Sequence, residues 1–206
     1  MRLRNTIISA AAALMLPAAA FADADTESFV KENANEVLDS LNNPDLNKQE
    51  RTELFSGYME EFANLNAVSR FVIGKYANRF SEEELSRYQK AFKTYALAVY
   101  ENELDAYRGE EVTIEGSTDR TANDSIVDTK IARADGREMN VRWRVLNRNG
   151  EYQVVDVALD IEGNLIWLAI EQRAQFLSLL DRTNGSADAL INKIDSMTQK
   201  LVSERR

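Results

Sequence analysis

Few residues in this chain have the type and spacing to do chemistry. Asp156 and Asp160 stand at even spacing at the end of an alternating segment, so both side chains fall on one face of a strand. Two carboxylates in one pocket could divide general-acid and general-base duties. Solvated acids at a strand edge have the same pattern, because charged groups are seldom buried unpaired. Glu82-Glu83-Glu84 has the composition of a metal patch. It follows Ser81, and Ser81 with Glu84 three residues on is a capping box, where acids at a helix N-terminus are the structural choice. Asn184-Gly185-Ser186 fits a glycosylation sequon, but Asn-Gly also ends helices in a left-handed cap, and that reading is preferred here. The chain has no histidine and no cysteine. Ser-His-Asp and Cys-His catalysis, disulfides, CxxC redox pairs and cysteine zinc sites are therefore excluded. No GxGxxG, Walker, GxSxG or HExxH motif occurs.

Composition narrows the class further. The 206 residues are 44% hydrophobic and 29% charged, ordinary for a folded domain. Residues 1–22 read as a secretory signal peptide. Arg2 and Arg4 form a positive n-region, Thr6 to Leu16 is apolar, Pro17 breaks it, and Ala20-Phe21-Ala22 supplies the small-x-small cleavage pattern. Residues 23–206 are then a single domain. Cleavage removes two bases and no acid, taking the net charge from −9 to −11. Such acidity argues against nucleic acid, whose phosphates attract a basic patch. It argues equally against adsorption to anionic lipid.

The elements follow from hydrophobic period. Helices are expected over Thr26–Leu41, Asn47–Ala63, Ala67–Asn78 and from Ser81 to near Gly109. The period then switches to two. Strands are expected near 110–116, over Ile126–Arg133, around Met139–Val145 and over Tyr152–Leu159, with hairpin turns at Asp135-Gly136 and Asn149-Gly150. After Gly163 the helical period returns through Ile166, Trp167, Ile170, Phe176 and Leu180, and Ser186–Leu201 makes a last helix. The expected fold is α+β: four N-terminal helices, a four-stranded antiparallel sheet and two C-terminal helices, with helices on one sheet face. Phe71, Tyr76, Phe92, Tyr95, Val141, Trp143 and Ile170 come from different elements and face one layer. That pattern suits a filled core or a lined cavity alike.

Several segments carry a resemblance. Val68-Ser69-Arg70-Phe71-Val72-Ile73-Gly74-Lys75-Tyr76 resembles the "ARFVLGRY" segment of the MlaC phospholipid-binding proteins, also called the toluene-tolerance family. Tyr88 to Phe92, Tyr95, Tyr100 and Leu104 to Glu110 continue the match. So do Asp135-Gly136-Arg137, Val141 to Val145, Gly150 to Val157, and Gln172-Arg173 with Phe176. The family's "EGVS" turn is not intact, and its "GRP" proline is Glu138 here.

The resemblance implies a periplasmic shuttle without cofactor or catalytic residue. It would pass glycerophospholipid between an outer-membrane lipoprotein/porin complex and the substrate-binding ring of an inner-membrane ABC transporter, maintaining outer-membrane lipid asymmetry. Acyl chains would lie in a cleft between sheet and helices. Two chains of some 16 carbons need about 25 kcal/mol of shelter from water, at ~0.8 kcal/mol per methylene, so a surface groove is insufficient. The sheet is expected to contribute Val127, Thr129, Ile131, Val141, Trp143, Val155 and Val157 to that cleft. The helices are expected to contribute Phe71, Val72, Tyr95, Val99 and Ile170. Two other readings stay open. One is an enzyme with a nuclear-transport-factor-like cone pocket built on Asp156 or a tyrosine. The other is a periplasmic chaperone or adaptor with an apolar face for protein partners. From its charge, the mature chain is expected not to co-sediment with anionic vesicles at low salt. Co-sedimentation that rises as salt falls would contradict this.

Overall fold

The computed structural model describes residues 24–104, 109–133, 136–161 and 163–204. The signal-peptide expectation for residues 1–22, the end of the fourth helix beyond Leu104 and Asp135 of the first hairpin turn lie outside them. Among the described residues six helices accompany a five-stranded antiparallel sheet in the order β1-β2-β3-β4-β5.

Helix α1 (Ala24–Asn42) buries Thr26, Val30, Ala34 and Leu38, an i, i+4 stripe along one flank. Helix α2 (Lys48–Phe62) starts at a capping box in which Asn47 and Glu50 satisfy each other's backbone N–H groups. Helix α3 (Leu65–Ile73) is shorter than expected. Gly74 turns at φ +52 and its N–H bonds to Arg70 and Phe71 carbonyls. The continuation Gly74–Asn78 is a 3-10 turn. Helix α4 (Glu82–Leu104) begins with the Ser81–Glu84 box read from the sequence, both hydrogen bonds being present at 2.8 and 3.2 Å.

The sheet runs β1 (Gly109–Thr121), β2 (Asp124–Arg133), β3 (Glu138–Arg148), β4 (Glu151–Ile161) and β5 (Asn164–Trp167). Asn149 and Gly150, at φ 58 and 91, make the expected tight β3–β4 turn. Strand β5 corrects the four-strand expectation. Ile166 and Trp167 pair with Leu159 and Ala158 instead of opening a helix. Four mostly apolar residues in a row carry neither period, so sequence alone could not arbitrate.

Helix α5 (Leu168–Arg182) starts directly from β5 and α6 (Ala187–Glu204) follows the Asn184-Gly185 stop, whose residues are left-handed at φ 53 and 77.

Two apolar bodies result. The helical core gathers Val72 and Ile73 of α3, Tyr76 of the 3-10 turn, Tyr88 and Phe92 of α4, Phe176 and Leu180 of α5, and Leu190 and Ile194 of α6. Phe92 meets Phe176 edge-on with centroids 6.4 Å apart, a favoured aromatic geometry. Tyr88 is fully buried, and its hydroxyl donates to the Ser69 carbonyl at 2.8 Å. The second body lies between α1 and the inner face of the sheet.

Gly185 has little room for change. A Cβ there would stand 2.8 Å from the Tyr76 ring, and the left-handed backbone strains any L side chain. Gly185→Ala is expected to destabilise the fold by about 1–3 kcal/mol in denaturant unfolding. Gly57→Ala, in mid-helix with nothing within 4 Å, is expected to stabilise it by about 0.5–1 kcal/mol. A Gly185→Ala protein as stable as its parent would contradict the packing.

Candidate functional site between the sheet and its helices

The two sheet faces differ in chemistry. On the outer face Arg144 grips Asp124 with two hydrogen bonds of 3.0 and 2.8 Å, and Arg120 adds a third at 3.1 Å. Arg142 makes a paired contact with Asp128, and Lys130 reaches Glu115 at 3.3 Å. A shallow hollow of about 230 Å³ among these groups has Leu165 at its rim. These four cations are each matched to a carboxylate.

The inner face is apolar. Val127, Val141, Val157 and Ile131 are buried there, with Trp143 packed alongside. Its few polar atoms satisfy one another. Trp143 Nε1 donates to the Thr129 hydroxyl at 2.9 Å, and that hydroxyl donates to the Val141 carbonyl at 3.0 Å. Six of the seven strand residues singled out from the sequence thus share one face. Val155 does not join them. Arg144 pairs with Asp156 and Val145 with Val154, so Val155 is the extra residue of a β-bulge. The bulge shifts the phase of alternation, and Val154 and Tyr152 pack inward in its place. Strict period-two reading cannot see such a shift.

Helix α1 covers this face. Ala34 and Leu38 pack with Val112, Met139, Val141 and Leu159, and Val30 with Val127 and Val145. Phe29 stacks on Tyr152, centroids 5.7 Å apart. Polar ties at the margin are few: Glu27 accepts from the Ser117 hydroxyl at 2.6 Å, and Asn35 accepts from the Val112 N–H at 3.2 Å. The sequence reading missed α1 as a wall of the site. Its stripe was legible, but nothing in a stripe says which surface it meets.

The helical residues singled out are placed elsewhere. Val72 and Tyr95 belong to the helical core, where burial pushes the Tyr95 phenol above its ordinary pKa. Val99 is half-buried on α4. Phe71 and Ile170 are 41% and 51% exposed on α3 and α5. Arg173 lies over the Phe71 ring at 4.8 Å and donates to the Phe71 carbonyl. The two groups of residues do not form one surface; α5 links them, with Leu168 packed on the sheet body and Phe176 in the helical core.

Asp156 is the joint. It is 6% exposed, and its Oδ1 accepts the N–H of Ala169 and of Val157, both at 2.9 Å. Trp167, the residue before α5, offers no side-chain cap, so the carboxylate from β4 does the capping across the gap. Burial holds its pKa above the ordinary carboxylate value, against the backbone N–H groups and Arg144. Asp160 instead accepts the Gly163 N–H at the β4–β5 turn. Four residue steps along the strand set the two acids about 13 Å apart, too far for a shared proton or substrate atom. Among the described residues no cluster of three acids could hold a metal ion, and no helix is long and apolar enough to cross a membrane.

Fold and site define a class: an α+β protein whose helices pack on one face of an antiparallel meander and enclose an apolar layer. Residues 31–196, most of the chain, match the MlaC protein family, and the chain belongs to that family. Among solved structures, the phospholipid-binding protein from Ralstonia solanacearum, determined in complex with a phospholipid, has the same fold at a TM-score of 0.74. It is 20% identical, and the match covers 86% of this chain and 98% of that one. Comparison with curated proteins gives no match.

The raised Asp156 pKa has a definite sign. A carboxyl whose folded pKa lies above its unfolded value of 3.8 favours folding while protonated, and that advantage is lost as pH rises through the folded value. Asp156→Asn keeps an oxygen acceptor for Ala169 without the charge. Its stability relative to the parent is expected to increase from about pH 4 to about pH 7 in paired thermal melts. A decrease would mean that attraction to Arg144 and the N–H groups outweighs burial.

Proposed function

We propose that this protein is a periplasmic phospholipid carrier, holding acyl chains in the layer between α1, the inner sheet face and α5. The observation that carries the reading is the inner face itself. Its side chains are apolar, its polar pair Thr129 and Trp143 is mutually satisfied, and α1 lies over it through the apolar stripe Val30, Ala34 and Leu38. Family membership and a phospholipid-bound structural neighbour support the same reading.

The energetics fit a layer that opens. Side chains fill it here, so bound chains would take the volume released as α1 and α5 move from the sheet. Each methylene then exchanges one apolar neighbour for another, and the ~0.8 kcal/mol per methylene that water would exact is avoided. The headgroup would stay outside. Neither the buried Asp156 nor the turn-bound Asp160 is placed for turnover, and the chain acts by binding.

In this reading residues 1–22 are the cleaved signal peptide and residues 23–206 the carrier domain. The carrier would move lipid between an outer-membrane lipoprotein/porin complex and the substrate-binding ring of an inner-membrane ABC transporter. That system would maintain outer-membrane lipid asymmetry. A net charge of −11 after cleavage would keep the carrier from resting on anionic membranes between dockings.

Native mass spectrometry of protein isolated gently from its own cells tests the reading. A bound mass in the diacyl phospholipid range, lost on solvent extraction, is expected. Repeated recovery of the lipid-free chain alone would contradict it.

A further inference from the structure

Helix α5 spans the seam between the two apolar bodies. Leu168 packs on the sheet body, while Ala169 and Phe176 belong to the helical core. Gln172 lies one turn after Leu168 and one turn before Phe176, on the same flank of the helix. Its side-chain Nε2 is shielded from solvent, and no group among the described residues accepts a hydrogen bond from it. A buried amide donor left unpaired is destabilising, whereas an apolar side chain of similar size would fill the place without that penalty. A buried, unpartnered donor on the helix flank that carries Leu168 and Phe176 is a binding feature in search of an acceptor.

We propose that Gln172 is a specificity-determining residue: its Nε2–H donates to an ester carbonyl of a diacyl glycerophospholipid held in the seam. The inference rests on the carrier reading above. Ester carbonyls are the first acceptors met between acyl chains and headgroup, so their donor belongs just inside the mouth of an apolar layer. The neighbouring surface has the matching order. Ile170 is exposed, and Arg173, three residues on and on the same side of α5, lays its guanidinium over the exposed Phe71 ring. The lipid's polar end would thus leave the seam beside a cation, while its chains run inward past Leu168.

The test is competition between two lipids that differ only at the carbonyl. Delipidated protein is offered equal amounts of diester phosphatidylethanolamine and its diether analogue with the same chains, and the bound species are counted by native mass spectrometry. The parent protein is expected to prefer the diester about fivefold, the worth of one net hydrogen bond. Gln172→Met, close in shape and without a donor, is expected to bind both equally, with a melting temperature no lower than the parent's. Gln172→Leu serves as the second variant should the methionine protein fail to fold. Equal binding of the two lipids by the parent, or a preference that survives in the variants, overturns the assignment while leaving the carrier reading intact. A parent that holds neither lipid overturns both.

Discussion

One buried carboxylate holds the architecture together. The sheet and the helical core are separate apolar bodies, and α5 begins where they meet. Its first turn has no cap of its own, because Trp167 offers none. Asp156 reaches across from β4 to accept the Ala169 N–H, and Arg144 beside it limits the penalty of burying a charge. Without that acceptor the buried Ala169 N–H in the first turn of α5 would lose its hydrogen-bond partner. A second tie stands near the β4 bulge, where the Asn64 N–H bonds to the Val154 carbonyl and its amide to Gln153. Leu168 of α5 adds apolar contact with the sheet body, and apolar contact slides and reopens more readily than a hydrogen-bonded ladder.

That division explains how one sheet serves two environments. Outward, arginines and acids pair across strands and meet water. Inward, Thr129 and Trp143 neutralise each other's polar atoms, so the face offers a ligand little but hydrocarbon. A carrier of acyl chains needs an interior that gives nothing a reason to bind except escape from water. It also needs a small polar signal at the mouth to set the depth of the lipid.

Much of this was legible in the sequence, for identifiable reasons. Capping residues act locally, so the Ser81–Glu84 box and the Asn184-Gly185 stop could be read directly. Alternation along β2 and β3 fixed the inner face from Val127 to Trp143. What stayed hidden was set by neighbours. The bulge that turns Val154 inward in place of Val155 exists only in the pairing of β4 with β3. Strand β5 is four residues long and has no period to read. The stripe on α1 was plain, yet its partner was not. Gln172 stood out in the sequence only through the Gln172-Arg173 segment, and the burial of its amide nitrogen is visible only in the fold. Phe71 and Ile170, apolar by type, are exposed because α3 and α5 turn those flanks to solvent.

The central claim is that acyl chains lie between α1, the inner sheet face and α5. The most direct measurement is residue-resolved photocrosslinking with a phospholipid carrying a diazirine near the end of one chain. Crosslinks are expected on α1 around Val30 to Leu38, on the inward residues of β2 to β4, and on α5 between Leu168 and Phe176. Crosslinks confined to the outer face around Asp128, Arg142 and Leu165 would contradict the account.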